Sequence, residues 1–416
     1  MQSKSPEILE RCSHDETLGL DPVLPVAVCQ PQNTQEVQEV VLYATQNRLA
    51  VTPRGGGTGK AGGCVPSKNS LVIDFSKMNQ ILEISPENLT ARVQPGVILQ
   101  DFRQAVEAQN LFYPPDPNSL TWCTLGGNVA TNAAGPSALK YGSTRDYILG
   151  LEVVLASGEI MRLGKQTVKG VAGYDLVSLI CGSEGTLALV TEIIVKLLPK
   201  PKNLTTALLK FDSNRQALEA VNHILALGVL PKVLEYMDAL CMQGRPVLII
   251  GLDGGEDPEF LSVYDAQVAL DEKQRRAIWE HRRLMSESLK KRAKHKISED
   301  IVVPRNQMLV FIEELEKLGH KHGVQTASFG HAGDGNLHAQ ILFDEDLEAP
   351  KIDLILHEIF ELTIRLNGTI SGEHGIGLAK KKYLPLEQNQ SLIELQKAIK
   401  KVWDPMNILN PDKIFV

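Results

Sequence analysis

The sequence lacks the excess of basic residues that nucleic-acid-binding domains usually carry. Its 43 lysines and arginines are outnumbered by 50 aspartates and glutamates, which gives a formal net charge of −7 at pH 7. The nearest approach to a basic run, residues 290–296, is too short to change that balance. The charge distribution therefore argues against a nucleic-acid partner.

Closely spaced cysteines and long apolar runs are also missing. The six cysteines are scattered and none forms a C-x-x-C pair, which argues against a zinc ribbon, a disulfide scaffold or a cysteine-ligated iron–sulfur cluster. Reduced thiols are typical of a reducing compartment. Residues 1–12 resemble neither a signal peptide nor a transit peptide, and no apolar run is long enough for a membrane span. The sequence predicts a soluble, cytoplasmic protein, with peripheral attachment to the inner membrane as an alternative.

The chain length and the distribution of residue types predict two domains. The 416 residues, 43% of them hydrophobic and 22% charged, are enough for two or three domains with substantial cores. The first half is rich in glycine and short β-branched runs, whereas longer amphipathic stretches begin near Asn203. Pro-Lys-Pro-Lys at 199–202 predicts a boundary between these halves, and the whole predicts an α+β fold.

Hydrophobic periodicity and turn residues predict the main helices and strands. A first helix begins at the Asn33–Thr34 cap and carries Val37, Val40, Val41 and Ala44 on one face. Further helices are predicted at 174–180, 214–227, 271–291, 307–322 and 353–365. Strands are predicted at 49–52, 70–75, 149–155, 160–163 and 247–252, and a buried strand at 187–198.

Two glycine-rich segments are the first chemical signal. Residues 53–59, PRGGGTG, lie between two predicted strands, so they are not the strand–loop–helix fingerprint of a Rossmann fold. Glycines let a backbone approach an anion closely with its N–H groups, although a tight turn is the simpler alternative. The second segment, residues 124–135, has the same small-residue character. Two such loops predict a long diphosphate cofactor that is held at two points.

Two histidines and a glutamate form the second chemical signal. His331 and His338 lie on either side of a Gly-Asp-Gly turn, and Glu373 follows in Ser-Gly-Glu-His-Gly. Two imidazoles and one carboxylate leave open positions on a zinc, iron or manganese ion for substrate oxygens. The alternative is a set of hydrogen-bonded histidines without a metal. The neighbouring His374 is a candidate general base or, alternatively, a residue that orients a metal ligand.

Several ordered motifs make the sequence resemble a known flavoprotein family. PRGGGTG, PPDPNS, TLGGNVATNAAG, YGSTRDYILGLEVVLASG and GSEGTLALVTE resemble the FAD-binding domain of oxidoreductases related to vanillyl-alcohol oxidase. More narrowly, they resemble the group formed by the D-type subunit of glycolate oxidase, D-lactate dehydrogenase and D-2-hydroxyglutarate dehydrogenase. GHAGDGNLH, SGEHGIG and DPMNILNPDKIF match this group as well, so the resemblance covers nearly the full chain.

The resemblance implies a two-domain α+β flavoprotein. A PCMH-type FAD-binding domain is expected over residues 1–200, a smaller α+β cap domain for substrate and metal over 203–384, and a C-terminal segment, 385–416, that returns to the FAD domain. Relatives with covalent flavin carry a histidine where this chain has Thr58, so we expect non-covalent FAD. The expected FAD-binding residues are Pro53, Arg54, Gly55, Gly56, Gly57, Thr58, Gly59, Pro115, Asp116, Thr124, Gly126, Gly127, Asn128, Thr131, Asn132, Gly135, Tyr141, Gly142, Glu184, Gly185 and Asn410.

The implied activity is oxidation of a D-2-hydroxy acid of the D-lactate, glycolate or D-2-hydroxyglutarate class to the 2-oxo acid. A divalent metal on His331, His338 and Glu373, zinc first and iron or manganese as alternatives, would hold the substrate's carboxylate and hydroxyl. His374 would take the hydroxyl proton while a hydride moves to flavin N5. Arg282 and Lys296 would bind the carboxylate, although a solvated basic helix face is the alternative for Arg282.

The partners and the exact role stay open. Because the chain has no iron–sulfur motif, the electrons must pass to a separate acceptor: a quinone, an electron-transfer flavoprotein or an iron–sulfur subunit. A homodimer and a hetero-oligomer are both compatible with the sequence. The chain is shorter than typical family members between Asp238 and Val247, which leaves the substrate specificity open.

Three other functions are alternatives. The chain could be a flavin-binding subunit of a larger glycolate oxidase complex, or an enzyme of the same fold with different chemistry, like the ether-lipid synthases, whose histidine cluster it lacks. A metal-dependent hydrolase would leave both glycine-rich segments unexplained.

Overall fold

The computed structural model describes residues 2–242, 244–256 and 258–416. The chain divides into two compact units. The first unit comprises Met1–Ala134, Ser143–Lys200 and Glu373–Val416, and the second comprises Gly135–Gly142 and Pro201–Gly372. Among the described residues, no helix has the length and apolar character needed to cross a membrane.

The strands of the first unit precede those of the second along the chain. In the first unit they are β1 Gln2–Ser3, β2 Ala27–Cys29, β3 Ala50–Arg54, β4 Ser70–Asp74, β5 Ile81–Ser85, β6 Thr90–Val93, β7 Leu111–Phe112, β8 Ile148–Val154, β9 Ile160–Gly164, β10 Leu189–Lys196 and β11 Leu198–Pro199. In the second unit they are β12 Thr205–Lys210, β13 Val233–Met237, β14 Val247–Leu252, β15 Asp265–Val268, β16 His295–Val302, β17 Gln325–His331 and β18 Asn336–Phe343.

Both units also contain α-helices. These are α1 Pro6–Arg11, α2 Thr34–Asn47, α3 Leu99–Glu107, α4 Leu125–Thr131, α5 Ala138–Tyr141, α6 Leu176–Ile180, α7 Asn214–Ala226, α8 Glu272–Arg283, α9 Met285–Lys290, α10 Met308–His322, α11 Ala349–Arg365, α12 Leu384–Glu387 and α13 Gln390–Trp403.

The first unit contains two larger sheets. One has the strand order β1-β2-β4-β3, with β2, β4 and β3 parallel to one another, and the other is the antiparallel sheet β5-β6-β10-β8-β9. The C-terminal segment returns to the first sheet, because the N–H of Asn410 donates to the carbonyl of Val51 at 2.7 Å. This contact brings the end of the chain to the strand from which the first glycine-rich segment leaves.

The second unit is built on one antiparallel sheet of seven strands. Their order is β15-β12-β14-β13-β17-β18-β16, and Met237, Ile249 and Phe329 belong to an apolar core on one of its faces. The strands β17 and β18 form a hairpin in which His331 pairs with Asn336 and Phe329 with His338. Because side chains alternate along a strand, His331 and His338 therefore lie on the same face of the hairpin.

Most predicted elements agree with the structure, including the first helix, whose Asn33 side chain accepts the N–H of Glu36. Three predictions were wrong in detail. The segment 124–135, predicted as a loop, begins with α4 because Thr124 caps a helix. The helix predicted over 271–291 divides at Leu284 into α8 and α9. The strand predicted as buried over 187–198 alternates between buried and half-buried residues in β10.

Candidate functional site

The two glycine-rich segments pack against each other within the first unit. A Cβ on Gly55 would lie 2.5 Å from Thr124 Oγ1, and a Cβ on Gly56 would lie 2.2 Å from the carbonyl oxygen of Trp122. Both distances are too short for any side chain, so the chain itself requires these glycines whether or not a ligand is bound. The close approach of a diphosphate, to which the sequence interpretation assigned these glycines, stays a prediction beside this packing role.

Gly127 has different surroundings. It lies in the first turn of α4, where its N–H donates to Thr124 Oγ1 at 3.2 Å. Among the described residues outside its own helix backbone and chain neighbours, only that hydroxyl lies within 4 Å of a Cβ built on Gly127, at 3.4 Å. By contrast, a Cβ on the neighbouring Gly126 would lie 2.9 Å from the carbonyl oxygen of Pro95. Gly127 is therefore a glycine beside which the protein leaves room for a ligand.

Glu184, Gly185 and Asn410, all predicted to bind cofactor, make contacts with one another, with the first glycine-rich segment and with Gly63, which follows that segment. Asn410 Nδ2 donates to the carbonyl oxygens of Gly63, at 2.9 Å, and Glu184, at 2.7 Å. A Cβ on Gly185, whose φ is +70°, would lie 2.5 Å from Pro53 Cγ. These contacts hold the backbone around the candidate FAD site.

The buried carboxylate of Glu184 also binds the loop that follows Glu373 and His374. It accepts the N–H groups of Ile376, at 2.7 Å, and Gly377, at 2.8 Å. Burial raises the pKa of Glu184 to about 7, although these hydrogen bonds act in the opposite direction.

Several buried polar atoms near these loops lack a hydrogen-bond partner among the described residues. They include Asn128 Nδ2, on α4, and Asn410 Oδ1. Buried amide groups normally have partners, so a bound cofactor with polar atoms at these positions fits the residues that are present.

Several other predicted cofactor residues have their side chains engaged within the protein. Arg54 is buried and donates to the carbonyl of His14 at 2.6 Å. Thr131 donates to the carbonyl of Gly127 at 3.2 Å, and Asn132 accepts the N–H of Arg145 at 2.8 Å.

Some of the remaining residues predicted to bind the cofactor lie in the second unit and others in the first. Gly135, Tyr141 and Gly142 belong to the second unit, where the Tyr141 hydroxyl donates to Asp253 at 2.8 Å. In the first unit, the carbonyl of Pro115 accepts Arg103 at 3.4 Å.

The three candidate metal ligands lie close to one another. The rings of His331 and His338 have their centroids 5.7 Å apart in an edge-to-face arrangement. Glu373 follows Gly372, the last residue of the second unit. One ligand atom from each of His331, His338 and Glu373 lies within 4.8 Å of the others. Two imidazole nitrogens and a carboxylate oxygen form a donor set that suits zinc, iron or manganese.

A buried ion pair lies behind His331. Glu235 pairs directly with His331 across β13 and β17, and its carboxylate contacts His331 Nδ1 through Oε1 and Arg282 Nε, at 2.5 Å, through Oε2. The side chain of Glu235 is fully buried and that of Arg282 is 3% exposed. Burial alone would raise the pKa of Glu235, but the adjacent Arg282 and His331 outweigh that effect and lower it to about 2.

The structure places Arg282 differently from the solvated helix face that was the alternative interpretation. Its guanidinium lies over the ring of Phe329, 4.8 Å from the centroid, and Phe329 also contacts His338, with 5.2 Å between ring centroids. One guanidinium nitrogen, Nη2, is buried without a hydrogen-bond partner among the described residues.

A second buried carboxylate fixes the chain just before Glu373. Asp300 pairs with His338 across β16 and β18. It accepts the side-chain amide of Asn336 at 2.6 Å and the N–H of Gly372 at 2.8 Å. The contact with Gly372 restrains the peptide that precedes the candidate ligand Glu373.

The two remaining catalytic candidates occupy different surroundings. His374 Nε2 lies 3.8 Å from Glu373 Oε1. Lys296 lies on β16 four residues before Asp300, and its ammonium donates to the hydroxyl of Ser286 at 2.5 Å. The structure thus places Lys296 against the start of α9.

Sequence reasoning missed Glu235 and Asp300. The signal for Glu235 was a single charged residue in the apolar strand Val233–Met237, all of whose residues are buried. A charged residue is seldom fully buried unless it is paired, so its position indicated a partner. Nothing in the local sequence indicated that the partners were Arg282 and His331.

Comparisons with known proteins identify the family of the chain. The profile for the FAD binding domain matches residues 25–164, and that for the C-terminal domain of FAD linked oxidases matches residues 200–245 and 256–414. The chain is 41% identical over 419 residues to glycolate oxidase subunit GlcD of Bacillus subtilis (strain 168), with 94% of this chain and 89% of that protein covered.

Two further relatives have related names. The chain is 32% identical to a D-lactate dehydrogenase of Anaerostipes hadrus, with 98% of this chain and 93% of the relative covered. It is also 32% identical to a D-2-hydroxyglutarate dehydrogenase of Stutzerimonas stutzeri (strain A1501), with 94% and 91% covered.

A solved structure of p-cresol methylhydroxylase shares the fold. It matches at a TM-score of 0.80 and 16% identity, with 97% of this chain and 92% of that chain covered. The predicted fold class and the resemblance are therefore confirmed, and the chain belongs to the FAD-linked oxidase family, as an FAD-dependent oxidoreductase with a PCMH-type FAD-binding domain and a C-terminal domain.

Proposed function

We propose that the protein oxidises a small D-2-hydroxy acid to the 2-oxo acid, with FAD bound non-covalently and a divalent metal held by His331, His338 and Glu373. The observation that carries the proposal is the convergence of these three ligand atoms within 4.8 Å in a chain of this family. The names of the relatives support glycolate, D-lactate and D-2-hydroxyglutarate as the class of substrate.

Each of the residues at the site would have its own task. FAD would supply the acceptor for the hydride from C2, and a zinc, iron or manganese ion would supply Lewis-acid polarisation of the substrate's oxygen atoms. His374, beside Glu373, would accept the hydroxyl proton. The buried Nη2 of Arg282 would donate to one oxygen of the substrate carboxylate, which would give that nitrogen a partner. Lys296 would add positive charge from β16.

The cofactor proposal rests on the first unit. We assign FAD to the two packed glycine-rich segments, with the room beside Gly127 and the unpartnered amide atoms of Asn128 and Asn410 as the supporting observations. Thr58 offers no attachment chemistry of the kind that a histidine provides, so the FAD would be released on denaturation. The FAD domain would extend over 1–200, the cap domain over 203–384, and the segment 385–416 would complete the FAD domain.

Electrons would leave through a separate acceptor, a quinone, an electron-transfer flavoprotein or an iron–sulfur subunit. The word "subunit" in the name of the Bacillus subtilis relative favours a second arrangement, in which this chain is the flavin-binding part of a glycolate oxidase complex. The six unpaired cysteines support a reducing compartment such as the cytoplasm.

A panel of D- and L-2-hydroxy acids with an artificial electron acceptor tests the proposal. The purified flavoprotein is assayed as prepared and after treatment with a chelator. We expect turnover of at least one short D-acid, weak turnover of its L-enantiomer, and loss of activity with the chelator. Activity unaffected by complete removal of metal would contradict the metal part of the proposal, and inactivity with every acid in the metal-loaded protein would contradict the substrate class.

A further inference from the structure

Among the three candidate ligands, His331 contacts the buried pair of Glu235 and Arg282 described above. Behind His331 the chain places a fully buried glutamate, Glu235, and behind that glutamate a buried arginine, Arg282. The contact with Glu235 uses Nδ1 of the His331 ring. The ring nitrogen that can bind a metal ion is therefore Nε2, on the opposite side of the imidazole.

The fold explains how this contact is held. Glu235 and His331 are direct partners across β13 and β17, so the backbone register sets the position of the carboxylate relative to the imidazole. Burying a carboxylate in an apolar strand is costly unless a cation compensates it. Arg282, from α8, supplies that charge through Nε at 2.5 Å.

Arg282 also touches the support of the second histidine. Its guanidinium lies over the ring of Phe329, and Phe329 is the cross-strand partner of His338, with ring centroids 5.2 Å apart. A single buried cation thus contacts Glu235, which holds His331, and Phe329, which packs on His338.

We propose that Glu235 and Arg282 are positioning residues for the metal site: Glu235 fixes the orientation and tautomer of His331 so that Nε2 points at the metal, and Arg282 acts through Glu235. Hydrogen bonds from ligating histidines to carboxylates orient the ring, and their loss typically lowers metal affinity by about 10–100-fold. The inference rests on the proposed metal site, but it assigns to Arg282 an effect on the metal that binding of a substrate carboxylate does not predict.

The test measures Zn²⁺ affinity of the FAD-loaded protein by competition with a chromogenic chelator, in the absence of any substrate. We expect Glu235→Gln to lower the affinity by about 10–100-fold, and Arg282→Met to lower it less. If Arg282 acts through Glu235, adding Arg282→Met to the Glu235→Gln variant has no further effect on the affinity. The absorption spectrum of bound Co²⁺ should also change in Glu235→Gln, because the orientation of one ligand is altered.

Asp238→Asn is the matched control. Asp238 is another buried carboxylate of the same region, and it accepts the N–H groups of Ser328, at 2.5 Å, and Cys241, at 2.7 Å. Its substitution removes a buried negative charge without touching a histidine, so Zn²⁺ affinity should stay within about threefold of wild type. A similar loss in Asp238→Asn and Glu235→Gln would overturn the proposal, because the effect would then be general destabilisation. If Glu235→Gln does not fold, the affinity of Arg282→Met decides the question in the same way.

Two outcomes distinguish failure of this inference from failure of the metal proposal. Wild type that binds Zn²⁺, loses it in His331→Ala and keeps full affinity in both Glu235→Gln and Arg282→Met would overturn the positioning role alone. Wild type that binds no Zn²⁺, Fe²⁺ or Mn²⁺ would overturn the metal site and the inference together.

Discussion

The two candidate sites differ in whether backbone or side chains form them. In the first unit, the segments around Gly56 and Gly127 form their site from backbone, and the closest approaches are made by glycines. In the second unit, His331 and His338 project from one hairpin and are supported by buried charged side chains. The first site requires positions without side chains, and the second requires buried charged side chains.

This difference affects how each site responds to substitution. A Cβ added to Gly56 would lie 2.2 Å from the carbonyl oxygen of Trp122, whereas the nearest atom to a Cβ added to Gly127 would be Thr124 Oγ1, at 3.4 Å. The number of glycines in a segment therefore does not distinguish positions that packing requires from positions that face a ligand. In the second unit each substitution at Glu235, Arg282 or His331 leaves a buried charge or polar group without its partner, so effects should be large and coupled.

The largest expected effect comes from removing a metal ligand. His331→Ala should lower turnover of the 2-hydroxy acid by at least about two orders of magnitude, because the metal both positions the substrate and polarises its hydroxyl. Flavin content, measured by absorbance, should not change, because FAD is assigned to the first unit. His357→Ala, at a half-buried histidine of α11, serves as the control. Loss of flavin in His331→Ala would contradict the separation of the two sites.

The next effect concerns the pH dependence of stability in the first unit. Burial raises the pKa of Glu184 to about 7 in the folded chain, whereas in the unfolded chain the pKa lies near its ordinary value of 4.5. The neutral carboxyl therefore contributes stability at acidic pH that is lost as pH rises through this window, by roughly 3 kcal/mol. Urea unfolding at about pH 5 and about pH 8 should show this loss in wild type and not in Glu184→Gln.

The surface variant Glu159→Gln controls for the loss of one carboxylate. It should keep the pH dependence of wild type, because Glu159 is exposed. Identical pH dependence in wild type and Glu184→Gln would show that burial of Glu184 does not control its protonation in this range.

The smallest effect separates the two glycines. Gly56→Ala should lower the free energy of unfolding of the FAD-free protein by about 1–3 kcal/mol, because its Cβ meets a backbone carbonyl. Gly127→Ala should leave that stability unchanged within about 0.5 kcal/mol and weaken FAD binding by about tenfold or more. Equilibrium unfolding and titration with FAD provide the two readouts. Normal FAD affinity in Gly127→Ala would show that the ligand does not occupy the room beside this residue.

The parts of the two sites that could be predicted from the sequence are those that local geometry determines. The hairpin between His331 and His338 was predictable because a Gly-Asp-Gly turn brings both residues together through local geometry. The strand–loop–strand arrangement around residues 53–59 was predictable from turn and strand signals, which are also local. By contrast, α4 was missed because its glycines and Asn128 have low helix propensity, which the Thr124 cap and tertiary packing override.

The residues that support His331 could not be predicted, because their contacts are not local in the sequence. Glu235 and His331 are 96 residues apart, and Glu235 and Arg282 are 47 apart, so only the register of the sheet brings them together. The family resemblance predicted a function for Arg282 but could not show that Nε of its guanidinium contacts Glu235. Long-range pairing of buried charges is determined by the fold as a whole.

Anaerobic reduction of the bound flavin by a D-2-hydroxy acid tests the central claim most directly, because it needs no external electron acceptor. The protein is prepared metal-loaded, metal-free and reconstituted with Zn²⁺ or Mn²⁺, and flavin absorbance is followed after mixing with D-lactate, glycolate or D-2-hydroxyglutarate. We predict rapid loss of the oxidised flavin absorbance in the metal-loaded protein, a rate lower by at least about two orders of magnitude without metal, and recovery on reconstitution. Equal rates of flavin reduction with and without metal would contradict the account.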